Sequence, residues 1–184
     1  NVRSLMDSLD NALIDAQNTL NSAHQSYIDA GSKNQNEFDE IKLQAAIFNY
    51  ELCKEVTFFY KKKPIGFSQK VALKGAIHCI YEYKRASDNL LMRIFALAKL
   101  NKIEIFDADL RKVKLNIKPH LKSISNWEDI RNKATAHYDK NTTAQFSVIN
   151  QIDVDEALEV MKYFLMYSVE ILKILKIVGA STST

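Results

Sequence analysis

Apolar residues recur every three or four positions along most of this chain, the spacing of a helix that turns one face inward. Leu5, Leu9, Ala12, Ala16, Leu20, Ala23 and Tyr27 draw one such stripe and predict a helix over residues 4–29, which the polar run at 31–36 breaks. Phe38, Ile41, Ala45, Phe48, Leu52, Val56 and Phe59 carry a second, closed by Lys61, Lys62 and Lys63 with Pro64 and Gly66. A short break between two long helices implies that they pack antiparallel. Ser68 is placed to cap a third, long helix whose stripe runs through Val71, Gly75, Cys79, Tyr83, Ala86, Leu90, Ile94 and Leu97. Over residues 101–124, Asp107 is placed to cap a short helix through Leu115, yet Asn116 and Pro119 interrupt it before a stable length accumulates, which predicts irregular chain with short helical turns. Ser125 and Glu128 then read as a capping box for a helix through His137. Residues 138–152 read as a polar loop. Asp153 and Glu156 repeat the capping arrangement ahead of a last helix, striped by Ala157, Met161, Phe164, Ser168, Ile171 and Leu175 and ending at Gly179, with residues 181–184 as a disordered tail.

Composition narrows the architecture. Only 4 Gly and 2 Pro occur in 184 residues, too little turn chemistry for a sandwich, a barrel or a dinucleotide-binding sheet. The expected fold is all-α, an up-and-down antiparallel helical bundle in one domain over 1–180, with an N-terminal helical hairpin at 1–60 and a bundle core at 68–178. No run approaches the roughly 18 uninterrupted apolar residues of a membrane span. The opening Asn1-Val2-Arg3-Ser4 also lacks the apolar segment of a secretory signal, so the expectation is a cytoplasmic protein without membrane contact. Cys53 and Cys79 fall inside helical patterns and read as buried, reduced thiols.

The formal net charge of +3 conceals an uneven distribution. Residues 1–59 carry −5, residues 60–140 carry +10 and residues 141–184 carry −2. The bases gather as Lys61 to Lys63, as Lys70 and Lys74, and as Arg111, Lys112, Lys114, Lys118 and Lys122. Such grouping suits a polyanion, and it equally suits a solvated helical face. The acidic first third suggests packing against the basic middle.

Most catalytic signatures are missing: there is no P-loop, HExxH, CxxC, GxSxG or dinucleotide glycine fingerprint, and no Glu-x-x-His metal motif in the helices. His24, His78 and His120 read as ordinary surface or core histidines. His137 differs, because it closes the segment Ile130-Arg131-Asn132-Lys133-Ala134-Thr135-Ala136-His137-Tyr138-Asp139. Here the chain resembles the HEPN superfamily, helical-bundle proteins marked by an Arg, usually followed by a polar residue, and then a His after four to six intervening residues, five in this chain. The resemblance is nearest to the abortive-infection branch and spans residues 68–178 in architecture, about ten of them in sequence. Asp139 stands where another branch carries Tyr.

The resemblance implies a metal-independent endoribonuclease, without cofactor, acting in phage defence or a toxin–antitoxin pair. Its products would be a 2′,3′-cyclic phosphate and a 5′-hydroxyl. Arg131 and His137 would be the catalytic pair, with Asn132, Lys133 and Tyr138 supporting the RNA backbone. The residue types suit the work: an imidazole titrates near neutrality, and a guanidinium stays charged and grips phosphate with a planar fork. On a straight α-helix six positions set Arg131 and His137 roughly 120° apart and ~9 Å apart in rise, so one copy makes a poor clamp. A homodimer with a composite cleft is therefore expected, as the family commonly forms, with an antitoxin or other protein as a further partner. Two plainer readings stay open. His137 continues the apolar stripe of Trp127, Ile130 and Ala134 as a hydrogen-bonded core-margin histidine, and Arg131 serves as a surface ion-pair residue. On these the chain would be a catalytically inactive RNA-binding or protein-interaction module.

Overall fold

In a computed structural model, which describes residues 2–31, 37–105, 108–135 and 142–182, the chain is all-α, with no strand among the described residues. Helix α1 spans Val2–Asp29, α2 Glu37–Lys62 and α3 Phe67–Leu100. A broken segment follows: α4 at Ala108–Ile117, a 3-10 turn at Lys118–His120, α5 at Leu121–Asn126, a single turn α6 at Glu128–Ile130 and a π-helical turn at Arg131–Thr135. Helix α7 covers Thr142–Asn150 and α8 covers Val154–Thr182.

Side-chain pairs fix the directions. Thr57 of α2 donates to the Leu9 carbonyl of α1, and Lys61 pairs with Asp10, so the end of α2 lies beside the start of α1. Arg93 of α3 grips Glu37 and Glu40 at 2.9 and 2.6 Å, while Cys79 meets Glu51 and Tyr83 stacks on Phe48, an antiparallel register along the whole length. The broken segment returns along α3, from Ile103 on the Ala98 carbonyl, through Ser125 on Lys84, to Ala134 on Lys74. Helix α8 then runs back beside it, with Glu156 against Ser123 and Tyr163 against His120. The result is an up-and-down antiparallel bundle whose fourth member is in pieces. Arg93 and Lys61 also bring the acidic first third onto the basic middle.

The stripes of α2 and α8 fill the centre. Ile41, Leu52, Ile77, Ile80, Ile94, Phe164 and Ile171 belong to one continuous core, and α2 shares it with α3 and α8. Over residues 7–29, helix α1 buries Ala16 and Ala23, small residues that let it lie close on α2. Between α2 and α8, the buried Ser168 hydroxyl donates to Asn49 Oδ1 at 2.9 Å and satisfies a polar group inside the core. Cys53 and Cys79 are buried free thiols. Burial pushes Cys53 up to about 11. Cys79 rises further through burial first, and then through the carboxylates of Glu51 and Glu55.

Several expectations are corrected. Val71 and Gly75 of α3 are exposed, and the buried face of its first turns is Leu73, Ala76, Ile77 and Ile80. Ser68 lies one residue inside α3; its hydroxyl donates to the Ile65 carbonyl at 2.6 Å and accepts from the Ile65 N–H, locking the turn that Gly66 makes at φ 59°. Within the segment read as irregular with short helical turns, residues 108–124 are helical throughout, because Leu110, Val113 and Ile117 bury one face and Pro119 falls in the 3-10 turn, where its missing N–H costs little. Ser125 does not cap a helix: it sits inside α5 and donates back to the Leu121 carbonyl at 3.0 Å. The polar loop contains α7, held by buried Val148 and Ile149. Asp153 does cap α8, accepting from the Glu156 N–H at 3.0 Å. That helix runs past Gly179 to Thr182, so residues 181 and 182 are helical, while 183 and 184 lie outside the described residues.

Candidate functional site

The Arg131 segment is bound to one face of α3. Lys70, Lys74, His78 and Glu82 succeed one another at intervals of four, and all are half-buried. Lys70 reaches the Asn150 carbonyl at the end of α7, and Lys74 donates to the Ala134 carbonyl at 3.1 Å. Glu82 accepts from Arg131 Nε at 2.6 Å. The stripe thus holds the π-helical turn at two points and the following helix at a third.

Trp127 and Ile130 just before the turn and Ala134 within it are buried and supply the anchor, leaving Arg131 to Lys133 on the outer side. Arg131 is held twice: its Nη1 also donates to Asn132 Oδ1 at 2.8 Å, which fixes the plane of the guanidinium while about a third of the side chain stays exposed. Lys133 is exposed and pairs with Asp129 at 3.2 Å, one turn back. Arg131 and Asn132 are therefore brought together, whereas Lys133 points to a local partner. His137 and Tyr138 lie outside the described residues.

The turn changes the geometry expected of the motif. From Arg131 to Thr135 the chain follows π-helical winding, with bonds to the fifth residue instead of the fourth, so this part of the motif does not have the straight α-helical form expected of it. Between the Arg131 turn and α8 a further helix, α7, stands where a loop is expected. Glu82 is the residue that sequence reasoning missed. Its signal was the polar series at 70, 74, 78 and 82 on an otherwise core-forming helix, half-buried because another segment covers it.

The basic middle divides into two populations. Arg93, Lys70, Lys74, Lys84 and Arg131 are tied into contacts between elements. Arg111, Lys112, Lys114, Lys118 and Lys122 stand exposed along α4 and α5. Among the described residues no cluster of His, Cys, Asp and Glu could hold a metal ion, and no helix is long and apolar enough to cross a membrane. The chain matches no protein-family model, no curated protein and no solved structure.

Proposed function

We propose that this chain is a HEPN-like, metal-independent endoribonuclease in which Arg131 and His137 carry the chemistry. The supporting observation is the clamped guanidinium: Glu82 and Asn132 orient Arg131 while leaving it partly open to solvent, as a group that stabilises charge on a phosphate requires. In the reaction the 2′-oxygen of RNA attacks the adjacent phosphorus and the bond from phosphorus to the 5′-oxygen breaks. One proton leaves the 2′-hydroxyl and one reaches the 5′-oxygen. His137 transfers a proton, Arg131 neutralises the charge that builds on the phosphate, and Asn132, Lys133 and Tyr138 support the backbone. The exposed cations of α4 and α5 attract the strand. Two copies meeting about a twofold axis form the cleft, in a phage-defence or toxin–antitoxin setting with a neutralising protein partner.

The Glu82–Arg131 ion pair also favours a second reading, in which Arg131 is a structural tie and the protein holds RNA or a protein without cutting. Incubation of total RNA with wild type, Arg131→Ala and His137→Ala in EDTA separates the two. The nuclease predicts cleavage by wild type and a loss of at least a hundredfold in both variants. RNA retarded but left intact by folded wild type would overturn it in favour of the second reading.

A further inference from the structure

Where α3 begins, two aromatic rings stand in water. Phe67, the first residue of α3, and Phe146 of α7 are 43% and 52% exposed, and their ring centroids lie 5.3 Å apart with the planes at 40°. The fold has other means of holding these elements. Buried Val148 and Ile149 and the bond from Lys70 to the Asn150 carbonyl anchor α7, and the turn before α3 is locked by Ser68 on Ile65. The pair is thus an aromatic surface on a fixed support, each ring touching the other on one side and open to solvent on the rest.

Charge in the segments that build this surface is of one sign. No Asp or Glu occurs between Glu55 and Glu82, and α7 has no charged residue. Of the lysines in that stretch, Lys61 is engaged by Asp10, Lys70 by Asn150 and Lys74 by Ala134. Lys62 and Lys63, at the end of α2 and just ahead of the turn into Phe67, are exposed. The surface is also continuous with the Arg131 turn. Seven positions separate Phe67 from Lys74, which sets them within about 20° of one another around α3 and ~10 Å apart along it. Lys74 in turn holds Ala134 of the π-helical turn, so a strand of a few nucleotides reaches from one to the other.

We infer that Phe67 and Phe146 form a stacking platform for the unpaired bases of single-stranded RNA, with Lys62 and Lys63 on the phosphates beside them. Every base has a π face, so such a platform takes a strand of any sequence while the lysines follow its backbone. In a duplex the bases are stacked on each other and have no free face to offer, so the platform selects single strands. The inference rests on the RNA reading proposed above and not on cleavage: it assigns the part of the strand that lies next to the phosphate held at Arg131. The α3 face that leads from the rings to that turn suits a strand running between the two better than a flat surface such as a membrane.

The probe is a single-stranded 2′-O-methyl oligoribonucleotide, which lacks the hydroxyl that attacks phosphorus and so reports binding without cleavage, titrated against the full chain by fluorescence anisotropy. Phe67→Leu and Phe146→Leu keep an apolar side chain at an exposed position, and each is expected to weaken binding about fivefold or more, whereas Phe67→Trp retains it. A strand with the same phosphates but abasic sugars binds wild type and the two leucine variants alike, a coupling between ring and base that a merely structural role would not give. Replacing Lys62 and Lys63 together by Ala lowers the slope of log affinity against log salt by ~0.7 per cation. Ile65→Ser, which alters the 82% exposed tip of the turn and no ring, leaves RNA affinity unchanged. Undiminished binding by both leucine variants, or the same loss on the abasic strand, would overturn the platform and leave the RNA reading standing. No binding by folded wild type would overturn both. Attachment instead to vesicles of equal parts phosphatidylserine and phosphatidylcholine, released by Ile65→Ser, would assign the surface to a membrane and overturn the inference as well.

Discussion

At the scale of single residues the molecule separates groups kept out of water from groups held at its edge. Arg131 belongs to the second kind. Because Glu82 and Arg131 are both about a third exposed, their ion pair contributes little to stability, of the order of 1 kcal/mol or less. Glu82→Ala is therefore expected to leave the urea midpoint nearly unchanged and yet lower RNA cleavage at least tenfold, through a guanidinium no longer held in plane; equal retention of activity would make Glu82 a bystander. Cys53 belongs to the first kind. The folded chain keeps its proton to about pH 11, whereas an unfolded thiol loses it from about pH 9. Between these values the unfolded state binds fewer protons, so stability is full below pH 9 and falls as pH rises. Urea titration at pH 8 and pH 10.5 is expected to show a loss of about 2 kcal/mol from this group, much of it absent in Cys53→Ala.

At the scale of elements, the long helices were legible and the broken segment was not. The stripes of α2, seven apolar positions, and of α8, five apolar positions with Ser168, determine their own phase, and every residue in them but Phe38 is buried. Helix α4 has only Leu110, Val113 and Ile117 to show, and its helicity comes from packing that a local pattern does not contain. Ser125 misled because a serine and a glutamate three apart look alike at a cap and inside a helix. Of the site, the Arg131–Asn132 contact followed from adjacency, while Glu82 lay 49 positions away and needed the fold to be found. Gly179 was read as a terminator, but its role is close approach: a Cβ there would lie 2.7 Å from Cζ of Phe38. Gly179→Ala is expected to cost about 1–3 kcal/mol in thermal or urea unfolding, by forcing the Phe38 ring aside. Gly75→Ala meets only the flexible carboxylate end of Glu55 and is expected to be neutral or to gain up to about 1 kcal/mol from helix propensity.

At the scale of the whole molecule, a bundle with one fragmented member offers rigid walls and one irregular edge, and the motif sits on that edge. The fragments give α4 and α5 their exposed cations and give Arg131 a turn that α3 holds from below. If the cleft is composite, with Arg131 from one copy working beside His137 from the other, mixing Arg131→Ala and His137→Ala subunits restores part of the activity that each lacks, because one of the two sites is then intact. No recovery after verified subunit exchange would place both groups within one copy. The proposed reaction itself is tested most directly by mapping the ends of RNA incubated with wild type and His137→Ala in EDTA. The account predicts 2′,3′-cyclic phosphate and 5′-hydroxyl ends with wild type alone. Intact RNA with folded wild type, or the same ends at the same rate with His137→Ala, would contradict it.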